Sequence, residues 1–169
     1  MRGTIPKRRR GPLPVLLTGV LLLLAAPSPA AAQDQDRPAI AIVVHPSVVV
    51  DELTFEELRT IFRGERQFWP DRSRITLLVR APVAYERDVI LNRIYRMSED
   101  DFRQYWIAKM FRAEVASGPK LVYSNDMARE LVTAIPGAIT FMPASEADER
   151  VKVLRIDGSL PSEAGYPLR

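Results

Sequence analysis

Residues 53–75 read LTFEELRTIFRGERQFWPDRSRI. Thr54 followed three residues later by Glu57 is the spacing of a capping box, in which side chain and backbone at a helix start satisfy one another. Phe55, Leu58, Ile61 and Phe62 then fall on one face at helical spacing. Gly64 supplies a stop, Phe68-Trp69-Pro70 an aromatic turn, and Ile75–Val79 an apolar run of strand length. The stretch therefore predicts a short amphipathic helix, a glycine stop, a turn that covers a core edge, and a buried strand ending at Arg80.

Before this stretch, Ala39–Val44 (AIAIVV) is continuously apolar and rich in β-branched residues, as expected of a strand covered on both faces. After it, Tyr85–Arg96 predicts a helix with Val89, Ile90 and Ile94 inward. Ser98 and Asp101 form a second capping box, opening a helix through Phe102, Tyr105, Trp106, Met110 and Phe111. Ala116–Pro119 breaks the chain. Ser124 or Asn125 starts a further helix that Pro136-Gly137 stops. Ala138–Met142 and Val151–Ile156 complete the strands, with Ala144–Glu149 a turn of helix or a loop between them. The order β-α-β-α-α-α-β-(α)-β, with no internal repeat, predicts one three-layer α/β domain, a mixed sheet with helices on both faces.

The first 32 residues read as an export signal. Lys7-Arg8-Arg9-Arg10 is a basic leader, Leu13–Ala26 an apolar run, and Ala30-Ala31-Ala32 a small-residue cleavage site before Gln33. The expected organisation is a signal peptide at 1–32, a polar leader at 33–38, a folded domain at 39–157 and a tail at 158–169, with the mature chain soluble in the periplasm. The whole chain of 169 residues carries 24 basic and 21 acidic side chains, but five of the basic ones lie within residues 1–32. The remaining 137 residues hold 19 basic and 21 acidic groups, a net charge of −2. Without a basic surplus, nucleic acid is not an expected partner. There is no cysteine, so neither a disulfide framework nor a thiolate metal site is available.

Catalytic constellations are missing from the sequence. A single histidine, no nucleophile elbow and no glycine-rich phosphate loop argue against an enzyme, a metal centre or a bound cofactor. His45, at the carboxyl end of the first strand, is either a ligand-site residue or a turn residue before Pro46. The aromatic stripe from Phe102 to Phe111 serves as core or as a partner groove.

Two phrases carry a resemblance. Leu53-Thr54, Glu57-Leu58, Ile61-Phe62-Arg63-Gly64 and Trp69-Pro70-Asp71, followed at a distance by Ile135-Pro-Gly-Ala-Ile-Thr-Phe141, resemble in order and spacing the signature of phosphate-binding proteins of ABC transporters. The likeness runs from about Ile40 to Ile156. It implies the type 2 periplasmic-binding fold, here as a short single-lobe member of a normally two-lobed family. It also implies a small oxyanion such as phosphate as ligand, with a membrane transporter or sensor protein as partner. A dimer would supply the second lobe.

On this resemblance Arg80 is an anion contact, Arg87 its support, and Ser124 and Asn125 a second wall at a helix start, where free N–H groups favour negative charge. The alternative is that Ser124 and Asn125 are plain caps, and the arginines ion-pair partners of Glu86, Asp88 or a carboxylate elsewhere. One departure bears on the ligand. Family members follow the strand-end arginine with Ser-Gly-Thr, which opens an anion-holding helix; here Ala84-Tyr85-Glu86 stands in that place. A carboxylate there repels an anion unless it points away. The alternative function is a periplasmic protein-interaction module that has lost its ligand.

Overall fold

A computed structural model describes residues 38–169 and Gly3. The expected signal peptide and nearly all of the polar leader lie outside the described residues. Among the described residues, seven strands and four α-helices follow in chain order: β1 (Ile40–Val44), β2 (Glu52–Leu53), α1 (Phe55–Phe62), β3 (Thr76–Arg80), α2 (Tyr85–Ile90), α3 (Glu99–Phe111), β4 (Lys120–Val122), α4 (Asn125–Ala134), β5 (Ala138–Pro143), β6 (Lys152–Val153) and β7 (Arg155–Ile156). Among the described residues no helix is long and apolar enough to cross a membrane.

The main sheet has the order β4-β3-β5-β1-β6. β4, β3 and β5 run parallel, whereas β1 is antiparallel to both of its neighbours, β5 and β6. The expected mixed sheet is thus present. Its two faces are sorted by strand alternation, since successive side chains point to opposite sides. Ile40, Ile42, Val44, Val79, Ile139 and Phe141 pack on the side of α1, α2 and α3. Ala41, Val43, Leu78, Ala138 and Met142 pack with Ala128 and Val132 of α4. Every residue of β1 and β5 is buried; β1 accordingly reads as an unbroken apolar run, whereas β5 carries one polar residue, Thr140, whose Oγ1 donates to Leu78 O at 3.1 Å.

The opening stretch folds as its chemistry requires. Thr54 Oγ1 accepts from Glu57 N at 3.1 Å, and Thr54 N donates to Glu57 Oε2 at 2.9 Å. Asp157 adds a bond from a distant segment, its Oδ1 accepting from Phe55 N at 2.9 Å. At the other end of α1 two phenols supply donors to carbonyls of the helix end, Tyr105 to Arg63 O at 2.8 Å and Tyr95 to the buried Phe62 O. Gly64 takes φ +66°, and a Cβ there would stand 2.8 Å from the Trp106 ring.

The two phrases behind the resemblance meet in space. Trp69 Nε1 donates to Gly137 O at 3.0 Å, and Thr76 N donates to the same carbonyl at 3.2 Å. The aromatic turn before β3 is thereby stitched to the Pro-Gly turn before β5, and these two strands lie side by side.

The structure adds features to the expected order. β4 is a three-residue edge strand that pairs only with β3. The helix expected over Tyr85–Arg96 is α-helical to Ile90 and widens into a π turn over Leu91–Tyr95, closed by Arg96 in the left-handed region at φ 55°. The last strand is split into β6 and β7, the latter pairing with β2. Residues 158–169 also contribute to the core: Tyr166 and Leu168 are buried, Tyr166 Oη donates to Ile40 O at 2.9 Å, and Ile40 N donates to Leu168 O at 2.8 Å. Burial raises the Tyr166 phenol above its ordinary range.

Candidate functional site

Parallel β3 and β4 end together, and the chain leaves both at the same end of the sheet. Arg80 is the last residue of β3 and pairs with Val122, the last of β4. The next helix after β3 begins at Tyr85 and the next after β4 begins at Asn125. Topology therefore brings Arg80, the first turn of α2 and the start of α4 to one place, as expected at the carboxyl ends of parallel strands.

Three side chains converge there. Asn125 Nδ2 donates to Glu86 Oε1 at 2.7 Å. Arg80 Nε lies 4.0 Å from the same Glu86 oxygen, with both side chains largely buried. The Arg80 guanidinium is held from its other edge, Nη1 donating to Val122 O at 3.4 Å. Arg80 Nε and Asn125 Oδ1 are buried without a hydrogen-bond partner among the described residues. Glu86 does not point away: it is only 6% exposed and its carboxylate is the anion these two side chains address. Ser124 caps α4, its Oγ accepting from Met127 N at 3.0 Å, and the side chain is otherwise exposed beside the cluster.

Arg87 does not join this group. Its guanidinium makes a bidentate pair with Glu99, Nε and Nη2 each at 2.7 Å from a carboxylate oxygen. Nη1 donates to Arg80 O at 2.6 Å, and the group lies over the Phe102 ring at 4.7 Å from its centroid. Arg87 ties α2 to α3 and holds the backbone of Arg80 at the strand end. Hydrogen bonding from Arg87 holds the Glu99 carboxyl below the ordinary glutamate range.

That depression fixes a pH dependence. A carboxyl with a lower pKa in the folded state binds fewer protons than the unfolded chain, so its stabilisation is complete above the ordinary value of 4.5 and is lost as pH falls through the depressed value. Acid unfolding followed by circular dichroism should therefore be steeper below about pH 4.5 in the native chain than in Glu99→Gln. Equal acid profiles for the two proteins would refute this.

His45 lies at the opposite end of the sheet. Because β1 runs antiparallel to β5, its carboxyl end meets the amino end of β5, and His45 N donates to Ala138 O at 3.0 Å. Its ring bonds locally to Ser47, with Nδ1 at 2.7 Å from Oγ. Among the described residues no group of three or more His, Cys, Asp or Glu side chains could hold a metal ion. The aromatic stripe divides: Phe102 and Trp106 are core, whereas Phe111 is 92% exposed.

Sequence reading named Arg80 and Asn125 and placed Glu86 at the site as an obstacle. It missed that Glu86 bonds to Asn125, 39 positions away. It also missed the loop between them. In Ala81-Pro82-Val83-Ala84, Pro82 and Val83 make a turn in which Val83 has φ 67° and is 99% exposed. A positive φ is costly for a β-branched residue, and such strain gathers where a loop has a task beyond connection.

No protein-family model matches the chain. Solved structures with the same fold include an ABC-type phosphate transport receptor from Vibrio cholerae, at TM-score 0.61 and 23% identity, covering 74% of this chain and 48% of that one. PstS from Borrelia burgdorferi matches at TM-score 0.62 and 17% identity, over 78% of this chain and 54% of that one. A Clostridium perfringens protein described as a phosphate ABC transporter substrate-binding protein, with bound phosphate, matches at TM-score 0.59 and 18% identity, over 72% and 46%. The chain thus has the periplasmic-binding-protein-like fold and spans about half the length of these proteins.

Proposed function

We propose that this chain is an exported, single-lobe oxyanion-recognition domain of phosphate-binding type. Arg80 and Asn125 form its anion contact, the Ser124 helix start flanks them, and the Glu86 carboxylate occupies the place of the ligand when none is bound. The observation that carries this reading is that Arg80 Nε and Asn125 Nδ2 address one and the same oxygen, Glu86 Oε1, in a buried setting. A guanidinium edge and an amide N–H aimed at a single carboxylate oxygen are what an oxyanion needs. The fold likeness to structures that include one with bound phosphate supports the ligand class. Such a domain would serve a membrane transporter or a sensor in the periplasm.

Glu86 makes binding weak in the native chain, because an incoming anion must displace a like charge already hydrogen-bonded in the site. Replacing that charge with an amide of the same shape should strengthen phosphate binding by about tenfold, the equivalent of about 1.4 kcal/mol. Phosphate titration by thermal shift should thus give a small stabilisation in the native protein, a larger one in Glu86→Gln, and none when Arg80→Met is added. A flat response across phosphate, sulfate and arsenate in both the native protein and a folded Glu86→Gln would sink the reading.

A second reading has its own observation. Val83 at 99% exposure and Tyr123 at 71% present apolar surface on the two loops that flank the Arg80 cluster. Exposed apolar groups beside a polar cluster that already holds its own carboxylate suit a protein-interaction module. A partner crosslinked through position 123, in the absence of any oxyanion response, would favour it.

A further inference from the structure

At the end of the sheet away from Arg80 lies a cavity of about 280 Å³. It opens where β3 begins, at Thr76, and where Lys120 enters β4. α3 ends at Phe111, and the chain returns to β4 through Val115–Pro119, which line the cavity opposite Ile75 and Leu77. Ile75 and Leu77 lie on the α1–α3 side of the sheet but remain half-buried. With Trp106 and Val115 they make an apolar floor.

The rim has one sign of charge. Arg66, Arg74 and Lys120 line the cavity, and no acidic side chain does. Arg66 is engaged with Glu57, Nη1 to Oε1 at 3.4 Å. Arg74 and Lys120 are exposed, and neither side chain has an ion-pair or hydrogen-bond partner among the described residues. Ser117 lines the same mouth. In a mature chain of net negative charge, a concave apolar floor under uncompensated cations is a local departure that selects anions.

We propose that this cavity binds a small amphipathic anion, a monocarboxylate whose apolar body lies on Ile75, Leu77 and Trp106 while Arg74 and Lys120 take its carboxylate. The volume is at the lower end for small-molecule sites and holds on the order of ten non-hydrogen atoms. An eight-carbon acid fills it. Free phosphate does not suit it, because it would leave the floor wet.

Octanoate is the probe, displacing anilinonaphthalene sulfonate from the mature protein, with octanol as its neutral counterpart. Octanoate is expected to bind at least about tenfold more tightly than octanol, since only the acid meets both the floor and the cations. The double variant Arg74→Glu/Lys120→Glu, altered at two exposed side chains, is expected to lose about tenfold or more in octanoate affinity. Arg80→Met should leave it unchanged, which separates this site from the oxyanion cluster whatever that cluster binds. No displacement by octanoate, equal affinity for octanol, an unaffected double variant, or loss of binding in Arg80→Met would each overturn the proposal.

Discussion

Arg87→Met should cost the domain about 3 kcal/mol and lower its melting temperature by about 10 °C, with no direct effect on the anion cluster. Arg87 is 2% exposed and spends every face of its guanidinium. Two bonds go to Glu99, one to Arg80 O, and the plane rests on Phe102. Methionine keeps the aliphatic stem and part of the volume, so cavity formation is a minor contribution. What is lost is the pairing. Glu99 remains with a carboxylate that is 34% exposed and can recover water, which keeps the expected cost toward the lower end for a broken buried pair. Arg80 O loses its donor in a place water reaches poorly. Arg87→Lys should recover only part of the loss, because an ammonium cannot hold the Glu99 fork and the Arg80 carbonyl together. Thermal unfolding of the three proteins by circular dichroism decides it. A drop of less than about 1 kcal/mol in Arg87→Met would mean the network is no stronger than a surface ion pair.

The same residue shows how far the sequence could be read. Thr54 with Glu57 and Ser98 with Asp101 were legible because a capping box is written within four residues, and both boxes form. β1 and β3 were legible from apolar runs of strand length, and β5 as a short strand after the Pro136-Gly137 stop. β4 was not, because three residues have no period, and Lys120–Val122 becomes a strand only through pairing with β3. Arg80 and Asn125 were legible as residues at a strand end and a helix start. Their common partner was not, because a glutamate in a first helical turn is ordinarily a solvated dipole partner. Nothing local says that Asn125 will bury it. Arg87 was legible as a support of Arg80 or as an ion-pair partner, but the carboxylate it pairs with was not: Glu99 sits in the first turn of α3, and only the packing of α2 on α3 joins them. His45 depended on the direction of β1, which an apolar run does not encode.

Gly137→Ala should be the most damaging single methyl addition in the domain, at about 4 kcal/mol, enough to leave much of the protein unfolded at 37 °C if its stability is at the lower end for a natural domain. Two costs combine. Gly137 has φ +77°, where a side chain costs about 1–2 kcal/mol. Its Cβ would also press into the Arg74 carbonyl oxygen, closer than carbon and oxygen can approach, with Arg74 C at 3.4 Å and Trp69 Cδ1 at 3.5 Å behind it. The obstruction is backbone, so no rotamer relieves it. Moving the turn away would stretch the bonds from Trp69 Nε1 and Thr76 N to Gly137 O, each worth about 1 kcal/mol. Gly165 separates the two costs. It has φ +89° and no atom within 4 Å of an added Cβ, so Gly165→Ala carries the conformational cost alone, about 1–2 kcal/mol. Urea unfolding of both variants, followed by the emission of the two buried tryptophans, Trp69 and Trp106, should place Gly137→Ala at least about 2 kcal/mol below Gly165→Ala. Equal midpoints would show that the Arg74–Gly137 contact yields easily, and that the aromatic turn and the Pro-Gly turn are neighbours without being braced against each other.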